Sequence, residues 1–173
     1  MKTRGEEAAR SGILSTAVIV AAVCLVFAMM QGVHDNYGIM LNALVERTGL
    51  DYATVSFVIG VGALMYGVAQ PFMGMLALRR SHIFVMLLGI SLMVTGLIAT
   101  PFCGSFPTLL LFFGLILPIG TTGIAYGILM GAMTPLIGER RAALVSGIVQ
   151  ASAGVGDAVM APAMERSIAG FGI

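Results

Sequence analysis

"GILSTAVIVAAVCLVFAMM" (12–30) runs for nineteen residues without a charge, and "QGVHDNYG" (31–38) follows it directly. About 20 apolar residues carry a helix across the hydrocarbon core of a bilayer. The run exceeds the roughly 7–15 residues of a secretory h-region, although Lys2, Arg4 and Arg10 precede it as they would a leader. More apolar stretches follow, so residues 12–30 read as a first, uncleaved transmembrane helix. The polar octet at its far end then needs an explanation, because it sets an imidazole, a carboxylate and two amides against that apolar run.

Composition carries the same reading to the whole chain. Of 173 residues, 58% are hydrophobic and 10% charged. Soluble domains run at about 45–50% apolar and about 25% charged, so the departure is toward a membrane protein. Gly is abundant at 23 residues, as suits helices that pack closely in lipid. A net charge of +1 with no Lys/Arg tract excludes nucleic acid as a partner. Cys24 and Cys103 suit neither a disulfide nor a metal site and read as small apolar filler. HExxH, GxSxG, P-loop and dinucleotide patterns are absent, so the chain reads as no enzyme, with no cofactor and no metal.

The fold class is an all-α polytopic bundle forming one transmembrane domain over residues 1–173. Five spans are expected, at roughly 13–45, 54–77, 83–101, 107–136 and 142–168. The first and fourth are longer than a bilayer requires and should tilt, bend or project. "RTGLD" (47–51), "RRSH" (79–82), "TPFCGSFP" (100–107) and "GERR" (138–141) separate them. With the N-terminus cytoplasmic, Lys2, Arg4, Arg10, Arg79, Arg80, Arg140 and Arg141 share one side, and Arg47 and Arg166 share the other. Seven against two is a positive-inside signal for N-in. Five spans leave "AGFGI" (169–173) outside, and the expectation is a chain truncated before a sixth helix.

Several stretches together resemble the N-terminal half of a major facilitator superfamily transporter, closest to the monocarboxylate and oxalate/formate group. They are "NYGIMLNALVERTG" (36–49), "LDYATVS" (50–56), "GMLALRRSH" (74–82) and "GERRAALVSGIVQASAGVG" (138–156). The resemblance implies an inner or plasma membrane location and five of the six helices of one half. A second half would complete the solute path. Leu78 and Ser81 depart from the loop signature of that family, which has Asp and Gly there. The gating role of that aspartate is therefore not carried onto Leu78. Arg79, Arg80, Arg140 and Arg141 read as topology determinants, and the resemblance implies that Arg79 and Arg80 keep part of the loop's cytoplasmic gating.

Candidate site residues follow from polarity inside the spans. At about 100° per residue, Gln31, His34, Asp35 and Asn42 share an arc of about 100°, one helix face. As chain neighbours, His34 and Asp35 are not expected to bond each other directly. Ionisable residues within a membrane usually face a cavity or a bundle interior, yet Asp35 is late enough in its span to sit at the outer headgroups. Both readings stay open here. Asp157, about 15 residues and so roughly 22 Å into the fifth span, is the second interior acid, with Gln150 seven residues before it on the same face. In the fourth span, Gly123, Gly127 and Gly131 recur every four residues as a ridge for helix packing, after Thr121 and Thr122. Thr121 and Tyr126 are candidates to hydrogen-bond into a solute path. Spans interrupted by Gly or Pro at matching repeat positions point to a substrate site, which pairs the first span with the fourth.

The function expected is secondary active transport of a small solute by alternating access. The resemblance implies a carboxylate solute, and proton coupling fits Asp35 or Asp157, because desolvation favours a neutral carboxyl. Five helices alone are expected to be inactive. The alternative is a non-transporting membrane scaffold or assembly subunit that associates through glycine-rich faces.

Overall fold

A computed structural model describes the backbone of residues 2–171 and the side chains of residues 16–166. The side chains of Lys2, Arg4 and Arg10 lie outside that range. Every regular element among the described residues is helical. The order is α1 (Lys2–Asp35), α2 (Tyr37–Thr48), α3 (Tyr52–Arg79), α4 (His82–Ala99) and a 3₁₀ turn (Thr100–Phe102). Then come α5 (Phe106–Leu109), a π-helical segment (Leu110–Ile116), α6 (Leu117–Thr122), α7 (Tyr126–Ile137) and α8 (Glu139–Phe171). These make five membrane-crossing segments.

The breakers act through identifiable chemistry. Gly49 ends α2 in the left-handed region (φ 66°), donating its N–H to the Val45 carbonyl. Asp51 caps α3 by accepting from the Thr54 N–H at 3.3 Å, and Ser81 caps α4 by accepting from the Phe84 N–H at 3.1 Å. Arg47 donates from Nε to the Pro101 carbonyl, tying the C-terminal end of α2 to the loop after α4.

Two expected single helices are interrupted. The first breaks at Asn36 (φ −94°, ψ 13°), where the Asn36 amide donates to the Gly32 carbonyl at 2.7 Å. That bond occupies a carbonyl near the break, as a polar group in lipid demands. The fourth widens into its π segment and then unwinds over Gly123–Ala125 before α7 begins. The excess length of both spans is taken up as breaks.

Lipid supplies no hydrophobic drive between helices, so shape and small residues hold the bundle. A Cβ on Gly89 would stand 2.7 Å from the Gly120 carbonyl oxygen and the Gly123 Cα, so α4 and the fourth span touch backbone to backbone. A Cβ on Gly32 would stand 2.6 Å from the Gly156 carbonyl oxygen, so α1 and α8 meet in the same way. One core gathers Tyr37, Leu44, Val55, Val58, Leu109 and Phe113, and a second gathers Phe27, Met30, Leu129, Met133 and Val149. Leu25, Phe57, Leu64, Leu87 and Ile98 are exposed on the outside, where a membrane protein meets acyl chains.

Candidate solute and proton site

The polar octet is a connected cluster. Gln31 Nε2 donates to Asp35 Oδ2 at 2.8 Å, the i,i+4 contact of a regular helix. His34 Nδ1 stands 3.1 Å from Asp35 Oδ1, which corrects the expectation that these neighbours do not meet. The contact falls at the last residue of α1, where the regular helical spacing that the expectation assumed gives way at Asn36. Asn42 lies beyond the break, on α2, and is exposed. The expected four-residue face rested on an unbroken helix, so it is three residues of α1 with Asn42 on a separate element.

The His34 ring packs on Tyr66 of α3 with centroids 4.3 Å apart, and on Tyr37 at 5.3 Å. Tyr37 in turn meets Phe113 of the π segment at 5.0 Å, packing the start of α2 against the irregular part of the fourth span. Tyr66 also fixes depth. It lies about 21 Å from the start of α3, halfway along a helix of about 42 Å. Asp35, next to His34, therefore lies level with the middle of α3. The apolar stretch Thr16–Asp35 ends at this level, and α2 carries the chain on from there to Thr48. The Asp35 side chain is 44% exposed and that of His34 is 20% exposed, so the carboxylate opens to one face of the bundle.

Asp157 is near the α1–α8 crossing, next to Gly156, with Oδ1 buried and unbonded. Gln150 is exposed on the same helix. Thr121 is fully buried and donates to the Pro118 carbonyl at 2.7 Å, and Thr122 donates to the Ile119 carbonyl at 2.6 Å. Tyr126 hydrogen-bonds Ser146, joining α7 to α8, and its ring meets Phe27 edge-on at 6.1 Å. Of the three glycines, Gly123 packs on α4 and Gly131 on the His82 ring, whereas nothing approaches Gly127 within 4 Å. The unwound segment divides the ridge, and Gly127 instead lines a cavity of about 340 Å³ with Gln70, Gly74, His82 and Thr122. Arg79, Arg80, Arg140 and Arg141 are exposed at the ends of α3 and the start of α8.

Tyr66 is a site residue that is not among the candidates read from the sequence. Its signal was the Tyr66/Gln70 i,i+4 pair within an apolar span, but which helix it faced was not readable. Ser146 as the partner of Tyr126 had no local signal.

Among the described residues no cluster suits a metal. Interrupted helices packed beside a polar cluster inside a bundle are an arrangement found in membrane transporters. The chain belongs to the major facilitator superfamily, whose family model matches residues 10–172. The match is to the superfamily and does not support the monocarboxylate and oxalate/formate group. No curated protein and no solved structure matches the chain.

Proposed function

We propose that this superfamily member is a proton-coupled secondary transporter of a small solute, working by alternating access. Gln31, His34 and Asp35 form one wall of its path. The single observation that carries the reading is a partly exposed carboxylate level with the middle of α3, held between an amide and an imidazole. Carboxylates at that depth face cavities because burial against lipid is costly, on the order of 3 kcal/mol on insertion scales. Asp157, Gln150, Asn42, Thr121 and Tyr126 are assigned to the same pathway or its support. The opposite wall comes from a second transporter half, and rocking of one half against the other moves the site between the two sides. Arg79, Arg80, Arg140 and Arg141 face the cytoplasm of an inner or plasma membrane and take part in gating there, with the N-terminus on that side.

The test is uptake by the whole protein in liposomes under an imposed pH gradient, with a panel of radiolabelled small carboxylates and amines. Uptake should follow the gradient and fall at least tenfold in Asp35→Asn. Undiminished pH-driven uptake in both Asp35→Asn and Asp157→Asn would remove the coupling role.

A further inference from the structure

We propose that the end of the bundle where α3 turns into α4 binds an anionic phospholipid. Its phosphate is held by Arg79 and Arg80, and an acyl chain lies along Leu78 into the cavity between α3 and α7. The site is separate from the Asp35 cluster and is independent of what the protein transports. Charge points to the head group. The turn after α3 and the turn at Gly138 follow the second and fourth crossings, so both lie at the same membrane surface. Among the described side chains, Arg79, Arg80, Arg140 and Arg141 stand there with Glu139, and none of the four arginines is in an ion pair. The opposite surface carries Glu46, Asp51 and Glu165 with Arg47 and Arg166, so the excess of positive charge belongs to one end. Each Arg near an anionic lipid surface strengthens binding by about fivefold.

Charge alone attracts a whole leaflet, and the cavity is what selects one molecule. Leu78, the residue before Arg79, lines it and is 82% exposed. The lining extends along α3 from Leu78 to Gln70, eight positions and so about 12 Å. The space of about 340 Å³ is bounded by α3, the start of α4 and the start of α7, and clefts of this size between helices take up largely apolar ligands. Gly74 and Ala77 leave room on the α3 side, and a Cβ on Gly74 or Gly127 would meet nothing within 4 Å. Of the polar groups in the lining, the Thr122 hydroxyl is engaged by the Ile119 carbonyl. The His82 ring, packed against Gly131 of α7, is three residues from Arg79, and an imidazole there can donate to a phosphate or ester oxygen. Free phosphate matches the arginines but leaves the apolar cavity unfilled. A phospholipid with a negative head matches both, as head groups do in basic pockets between transmembrane helices.

The experiment titrates the whole protein in dodecylmaltoside with dioleoylphosphatidylglycerol and follows its melting temperature, since a ligand of the folded state raises it. Dioleoylphosphatidylcholine and sodium phosphate are the comparisons. Phosphatidylglycerol should raise the melting temperature saturably, and the other two should not. Arg79→Gln combined with Arg80→Gln should raise the half-saturating concentration about twentyfold. Arg140→Gln combined with Arg141→Gln removes the same charge from α8, which lines no part of the cavity, and should change it by less than about threefold. Gly74→Leu keeps every arginine but fills the cavity, and should weaken phosphatidylglycerol about tenfold. Equal stabilisation by phosphatidylcholine or by phosphate overturns the anionic-lipid assignment. Equal losses in the two arginine pairs mean attraction to the whole surface and overturn the site, as does a Gly74→Leu protein that responds to phosphatidylglycerol like the natural one.

Discussion

Asp51 shows what one residue contributes at a loop of this protein. Its carboxylate accepts from the Thr54 hydroxyl and the Thr54 N–H, and those bonds hold its pKa below the usual carboxylate range. A depressed folded-state pKa adds stability above the unfolded value, and that stability is lost as pH falls through the folded value. Melting temperature in detergent should therefore decline below about pH 4 in the natural protein. Asp51→Asn, which keeps a capping oxygen, should flatten that acid limb at little cost at neutral pH. Asp51→Ala should lower the melting temperature at all pH values, and an Ala variant as stable as the Asn variant would refute the capping role. Such a cap is legible in sequence, as "LDYATVS" (50–56) places Asp just before an apolar run. The His34–Tyr66 contact was not, because the two residues are 32 positions apart and only folding brings them together.

At the scale of elements, close crossings and breaks decide the bundle. A Cβ on Gly123 would meet the Gly89 Cα and the Val85 carbonyl oxygen, both at 2.7 Å and both backbone that cannot turn aside. Gly123→Ala should therefore cost about 1–3 kcal/mol by overpacking, measured as thermal stability in detergent. Gly127→Ala has open space and a helical backbone, so it should be neutral or slightly stabilising. Equal losses at the two positions would show that the ridge runs unbroken through α7. The four-residue spacing was visible in sequence, but the unwound Gly123–Ala125 was not, because regular spacing presumes a regular helix. The Tyr126–Ser146 bond between α7 and α8 makes a milder test. Ser146→Ala should cost about 0.6 kcal/mol, the average for such interhelical bonds in membranes.

For the whole molecule, orientation is the property that follows from charge. Leu78, 82% exposed, marks one end of the bundle, and exposed Gly104 marks the other. In a background of Cys24→Ala and Cys103→Ala, Leu78→Cys should react with a membrane-impermeant maleimide only after cells are opened. Gly104→Cys should react on intact cells, and the opposite pattern would invert the topology. Native Cys103 should label slowly, since it is buried and burial pushes its thiol pKa up.

Composition, span lengths and breakers were enough, in the sequence alone, to define a five-span helical membrane protein. Hydrocarbon forces every crossing backbone to satisfy itself, which makes apolar length a direct readout of helices. The family resemblance was legible in the loops, where chain chemistry is local. Only the tertiary structure decided the level of Asp35 beside α3, the company of Tyr66 and the breaks at Asn36 and Gly123–Ala125. Those depend on which helix faces which, and in lipid that choice is made by close packing of small residues far apart in sequence. "QGVHDNYG" (31–38) carried the polar groups from the start, and Tyr66 of α3 set them level with the middle of that helix.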